Sequence, residues 1–148
     1  MLNSQFSSEG ARIAICGVML EKIALSDQLE ERLTEFAAKI IGIAGMLCKT
    51  FQGRHVAKQI LRSGTAAAPN YAEARGSESR ADFVHKMRIV QKELNETSVW
   101  LRVITRCSLL SPELIVAILA ENKELSRIVT ASIRTARRRI SAAPSNEN

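Results

Sequence analysis

Phe83, Met87, Val90, Leu94, Thr97, Leu101 and Ile104 step by four and three without a break. A strand exposes every second residue and cannot gather such a series on one side. On an α-helix it forms a single stripe, the seam along which helices of a left-handed bundle pack. Leu29, Leu33, Phe36, Ile40, Ile43 and Leu47 repeat the rhythm upstream. Seven Gly and three Pro in 148 residues leave few places to turn, so long helices with short connections are expected.

Asp27 is a plausible N-cap of a first helix, with Glu30 three residues on in capping-box position, and Gly53 marks its end. A second helix, 54–75, places Val56, Ile60, Ser63, Ala67, Asn70 and Ala74 inward. The third runs from Ser79 to about Cys107. The fourth opens on Ser111-Pro112-Glu113, with Ser as N-cap and Pro in the first turn. Its stripe is Ile115, Ile118, Leu125, Val129 and Ser132, interrupted by Asn122. The pattern predicts an all-α, up-down-up-down antiparallel four-helix bundle over residues 27–140. A weakly structured extension, 1–26, is expected before it and a disordered tail, 141–148, after it. Met19 would serve as a start as well as Met1 does.

Hydrophobic residues make up 46% of the chain and charged residues 24%, the balance of an ordinary globular domain. No apolar run reaches the roughly 18 residues that a membrane span needs. The stretch Ala11–Leu20 carries an Arg and lacks a cleavage site, so a cytoplasmic protein is expected. Cys16, Cys48 and Cys107 have no CxxC spacing and read as small buried hydrophobes in a reducing compartment.

On the second helix, Ser63, Gly64, Ala66, Ala67 and Ala68 strip away side-chain bulk over more than a turn, so a neighbouring helix should approach most closely there. Pro69 lacks an N–H and should kink or split the helix. Asn70, on the inward stripe, then needs partners for its amide, either carbonyls freed by Pro69 or Glu73. A catalytic or ligand pair of Asn70 and Glu73 is the alternative, but no nucleophile, base or phosphate loop accompanies them.

Asp82-x-x-His85 is the nearest approach to a di-iron Glu-x-x-His motif, and His55 has no acid three positions before it, so no metal or other cofactor is expected. His55 and His85 read as surface residues at helix starts. Trp100 lies off the strict stripe, suited either to an interface with a neighbouring protomer or to burial at the bundle's edge. Neither nucleotide-binding nor nucleophile–base motifs occur, and an enzyme is not expected.

The net charge of +6 is concentrated. Lys123, Arg127, Arg134, Arg137, Arg138 and Arg139 face a single acid, Glu124, between positions 123 and 139, which leaves the remainder close to neutral. One face of the last helix can therefore offer several guanidinium groups to phosphates. The opposing reading is a solvated helix end whose cations suit the negative pole of the macrodipole.

The stretch from Leu61 to Leu101 resembles the core of four-helix-bundle proteins encoded in intervening sequences of bacterial large-subunit ribosomal RNA genes. Their pattern, R-S-x-x-S-I-x-x-N-I-A-E-G followed by a phenylalanine helix with L-x-E, is matched by Arg62, Ser63, Asn70, Ala72 and Glu73, then by Phe83, Leu94 and Glu96. Ala66, Ala67, Tyr71 and Ala74 depart from it, Pro69 falls one place late, and the family's opening Trp is missing. The resemblance implies an up-down bundle able to form a homo-oligomeric ring of five protomers. It also implies kinship with the accessory variability protein of diversity-generating retroelements, a pentameric barrel whose basic surface binds nucleic acid and a reverse transcriptase. Two functions follow as expectations: a non-enzymatic module that binds RNA or DNA, or a scaffolding homo-oligomer with a protein partner.

Overall fold

The computed structural model describes residues 3–142, with side chains from residue 14 onward. Four helices occupy nearly all of this span: α1 (Asn3–Leu47), α2 (Phe51–Arg75), α3 (Arg80–Arg106) and α4 (Pro112–Ser141). No strand occurs among the described residues. None of the helices is long and apolar enough to cross a membrane.

The chain divides into two units, Met1–Arg32 and Leu33–Asn148. The first is helical from Asn3, so residues 3–26 form helix where a loose extension was expected, and Asp27 lies inside α1 rather than at its N-cap. Residues 14–25 are exposed throughout, including Ile15, Val18, Met19, Leu20, Ile23 and Leu25. Leu29 is buried. The expected tail 141–148 lies, beyond Ala142, outside the described residues.

The second unit is an all-α four-helix bundle. Leu33, Phe36, Ile40, Ile43 and Leu47 of α1 are buried as their spacing predicts. Each aliphatic or aromatic side chain so withdrawn from water contributes about 1.5–3 kcal/mol. Thr50 caps α2 by accepting the Gly53 N–H at 2.9 Å. Gly53 is therefore not the break but the third residue of α2, and a Cβ there would collide with the Leu47 carbonyl. Ser79 caps α3 through the Asp82 N–H at 3.1 Å. Ser108, at φ 50°, turns the chain out of α3 while the Leu109 N–H closes onto the Ile104 carbonyl at 3.1 Å. Ser111 and Pro112 start α4 as expected, though the Ser111 side chain makes no cap bond.

Cross-helix contacts give the topology. Arg62 pairs with Glu96, and the Thr97 hydroxyl donates to Ser63 at 3.0 Å, tying α2 to α3. The Asn122 amide donates to the Leu94 carbonyl at 3.1 Å and Gln91 donates to Thr130 at 2.8 Å, tying α3 to α4. In both pairs of helices the partners run antiparallel.

Several details differ from the sequence reading. Helix α2 continues through Pro69. Tyr71, not Asn70, takes the buried position next to it, leaving Asn70 half-buried with its amide bonded to its own helix at the Ala66 carbonyl, 2.7 Å away. Near the end of α4, Ile133 and Ala136 are buried where Ser132 was expected, and Asn122, read as an interruption, is a core residue. All three cysteines are exposed rather than buried.

The Asp82 carboxyl sits below its ordinary value of 3.8, chiefly because it accepts a hydrogen bond from Lys86, whose charge also favours the ionised form. A carboxyl lowered in the folded state stabilises the fold above its unfolded pKa, and that contribution disappears as pH falls through the folded pKa. Asp82→Asn is therefore expected to be less stable than wild type at pH 7 and indistinguishable from it once both are unfolded by urea near pH 2. A difference that persists in acid would assign the residue's effect to something other than its charge.

Candidate nucleic-acid interface

The last three turns of α4 alternate buried and exposed positions. Ile133 and Ala136 face the core, which turns Arg134, Arg137 and Arg138 outward. The antiparallel register of α3 brings Arg88 and Gln91 alongside them. Together these residues and Thr130 line an open groove of about 680 Å³ between α3 and α4. The Gln91–Thr130 hydrogen bond bridges the two helices within that groove. Among the described residues, none of Arg88, Arg134, Arg137 and Arg138 forms an ion pair with an acid. An adjoining depression of about 480 Å³ contains Arg127 and shares Thr130 and Arg134 with the groove.

The six cationic residues singled out in the sequence thus separate. Arg134, Arg137 and Arg138 stand together in the groove. Arg127 is in the neighbouring depression and pairs with Glu124 on its own helix at 3.5 Å. Lys123 is exposed and lines neither hollow. Arg139 is exposed, and its carbonyl accepts a hydrogen bond from Arg80 at 3.3 Å. Arg88 is the addition from outside the α4 cluster.

The motif residues of α2 and α3 lie apart from this face. Arg62 and Glu96 form the interhelical pair, Ser63 is fully buried against Thr97, and Glu73 is exposed. His85 is exposed, while the rings of His55 and the half-buried Trp100 meet in a T shape, centroids 6.2 Å apart. No group of three potential metal ligands occurs among the described residues. Among the described residues, three side-chain atoms shielded from water lack a hydrogen bond: Ser77 Oγ, Glu93 Oε2 and Asn122 Oδ1.

A family model described as 23S rRNA-intervening sequence protein matches residues 24–131. The chain belongs to that family. The match spans α2, α3 and most of α4, and it stops before Arg134. A crystal structure of a protein of unknown function from the S23 ribosomal protein family of Bacteroides thetaiotaomicron is similar, with 32% identity and a TM-score of 0.70. The similarity covers 74% of this chain and 97% of that one. No curated protein matches the chain. For an intervening-sequence protein, then, the bundle belongs to the family pattern, whereas Arg134, Arg137 and Arg138 lie beyond the matched residues and Arg88 within them.

Proposed function

We propose that this intervening-sequence family protein is a non-enzymatic nucleic-acid-binding module that holds phosphates in the α3–α4 groove. The observation that carries the reading is the convergence of Arg88 with Arg134, Arg137 and Arg138 in one open hollow, none of them neutralised by an acid among the described residues. A helix end needs one or two cations to complement its dipole. It does not need a further arginine from the neighbouring helix. Guanidinium groups are suited to bidentate phosphate contacts. Few aromatics accompany them, so the backbone rather than the base sequence is what this surface reads. The family resemblance adds a cytoplasmic homo-oligomer of five copies, in which repeated grooves would act by avidity, and a reverse transcriptase as the protein partner.

The test is a titration of labelled duplex DNA and structured RNA at 50 and 200 mM salt. Wild type is compared with Arg88→Ser/Arg134→Ser/Arg137→Ser/Arg138→Ser. If the four arginines each neutralise a phosphate on duplex DNA, the log–log salt slope of the variant is shallower by about 3.6. Wild type then loses roughly 100-fold more affinity than the variant between the two salts. Lys123→Ser/Arg127→Ser should change the slope far less. Absence of binding by folded wild type at low salt would overturn the reading.

A further inference from the structure

Besides its four arginines, the α3–α4 groove is lined by three uncharged hydrogen-bonding side chains, Gln91, Thr130 and Ser141. Two bonds fix how Gln91 is turned. The Thr130 hydroxyl donates its single proton to the Ser126 carbonyl, 2.7 Å away on its own helix. Its oxygen is then left only to accept, so the Gln91 amide must present its NH2, and Nε2 donates to Thr130 Oγ1 at 2.8 Å. The amide is planar, so Oε1 faces away from Thr130, and among the described residues no donor meets it. Gln91 is half-buried, and the chain of bonds through Thr130 to Ser126 holds its carbonyl where a free glutamine would swing. Ser141 differs. It is exposed and reaches the Arg137 carbonyl at 3.3 Å, so its hydroxyl is free to turn and donate to a phosphate.

An acceptor fixed in this place does not serve phosphate binding. Arg88 lies one turn from Gln91 on α3, and Arg134 one turn from Thr130 on α4. Guanidinium groups only donate and phosphate oxygens accept. Oε1 among them repels a phosphate oxygen and calls for a donor. The sugar–phosphate backbone of DNA has none, because its phosphate, ester and ring oxygens all accept. RNA adds one donor per nucleotide, the 2′-hydroxyl, beside the phosphates of the same strand. A base edge also carries donors, but reaching one calls for an unstacked base, and none of the described lining residues is aromatic to receive it. We infer that Gln91 Oε1 accepts a hydrogen bond from a ribose 2′-hydroxyl while Arg88 and Arg134 hold adjoining phosphates, so that the groove prefers RNA to DNA. The inference rests on the phosphate-binding reading of the groove and names the class of nucleic acid. Gln91 is the specificity-determining residue, and Thr130 positions it.

The test compares three duplexes of one sequence at one salt concentration: RNA, DNA, and RNA with 2′-fluorine in place of each 2′-hydroxyl. The fluorinated duplex keeps the A-form shape and lacks the donor. Wild type should bind RNA roughly fivefold more tightly than either of the others, the worth of one neutral hydrogen bond. That comparison needs no variant to fold. Gln91→Leu should bind RNA about as weakly as wild type binds DNA, while binding DNA no more weakly than before. Retained DNA binding shows that the variant folds and keeps its phosphate contacts. Thr130→Val frees the amide to turn and should lose most of the RNA preference in the same way. Equal affinity of wild type for RNA and the fluorinated duplex would overturn the inference, since shape alone would then account for any preference over DNA. So would an RNA preference that survives in Gln91→Leu. Either result leaves phosphate binding in the groove standing, whereas failure of folded wild type to bind any of the three duplexes would remove both.

Discussion

Gly64→Val is expected to lower stability by about 3 kcal/mol, a fall in Tm of roughly 6–12 °C for a domain of this size. A Cβ at position 64 would lie 2.6 and 2.8 Å from Cγ2 and Cγ1 of Ile40 and 3.1 Å from its Cβ. Ile40 is fully buried, and its branch point is not the loose end of a side chain that can swing aside. The helices must therefore separate, loosening the packing along α1 and α2 around that contact. Gly in a helix interior costs about 1 kcal/mol relative to Ala, so its presence in mid-helix marks a place where closeness is worth more than propensity. The check is thermal or urea unfolding of Gly64→Val, Ile40→Ala and the double variant. Ile40→Ala alone leaves a cavity costing about 2–5 kcal/mol. In the double variant the added methyls occupy that cavity, so the combined loss should be clearly smaller than the sum. Strict additivity would mean that the two residues do not meet.

That contact also illustrates what can be read from the sequence. The run Ser63, Gly64, Ala66, Ala67 and Ala68 announces a close approach without naming the neighbour. The buried stripes of α1 and α3 follow directly from their spacing, apart from Phe83, which is half-buried beside the buried Val84, because a bulky residue every three or four positions leaves little freedom in how the helix turns. Where side chains are small or polar the same template loses its grip. At Asn70 and Tyr71 the choice between adjacent positions is decided by burial of the larger ring, and at Ser132 and Ile133 by the same preference. The extent of α1 was hidden for another reason. Residues 14–25 carry apolar side chains on several sides rather than on one stripe, so periodicity gives no signal there.

The basic groove was half legible. Its α4 arginines are a visible cluster, but Arg88 joins them only through tertiary register. A hairpin calculation would have found it: if the turn between α3 and α4 centres near Leu109, residue 88 falls opposite Thr130, one turn from Arg134. Charge density along the chain cannot make that step, because it ranks Lys123 and Arg127 with the others. The structure sets Lys123 outside both hollows and Arg127 beside Glu124.

Asn122 is the position where substitutions of almost equal shape should diverge most. Its side chain is 1% exposed, its amide donates to the Leu94 carbonyl at 3.1 Å, and its Oδ1 accepts nothing. Asn122→Asp keeps the shape, loses the donor and sets a carboxylate against a carbonyl oxygen in the core. Burying an unpaired charge this way costs about 3–5 kcal/mol. The folded state then favours the protonated carboxyl and raises its pKa, so the loss is full at neutral pH and shrinks as pH falls toward 4. Asn122→Leu removes the orphaned acceptor and the donor together. The Leu94 carbonyl lies in mid-α3, with a helix partner of its own available, so giving up the amide is tolerable. Leucine at this site should leave stability unchanged or raise it by about 1 kcal/mol. Urea unfolding of both variants at pH 7 and pH 4 is the measurement. If leucine costs as much as aspartate, the polar atom at 122 is required by the fold, and a partner for Oδ1 must exist in solution.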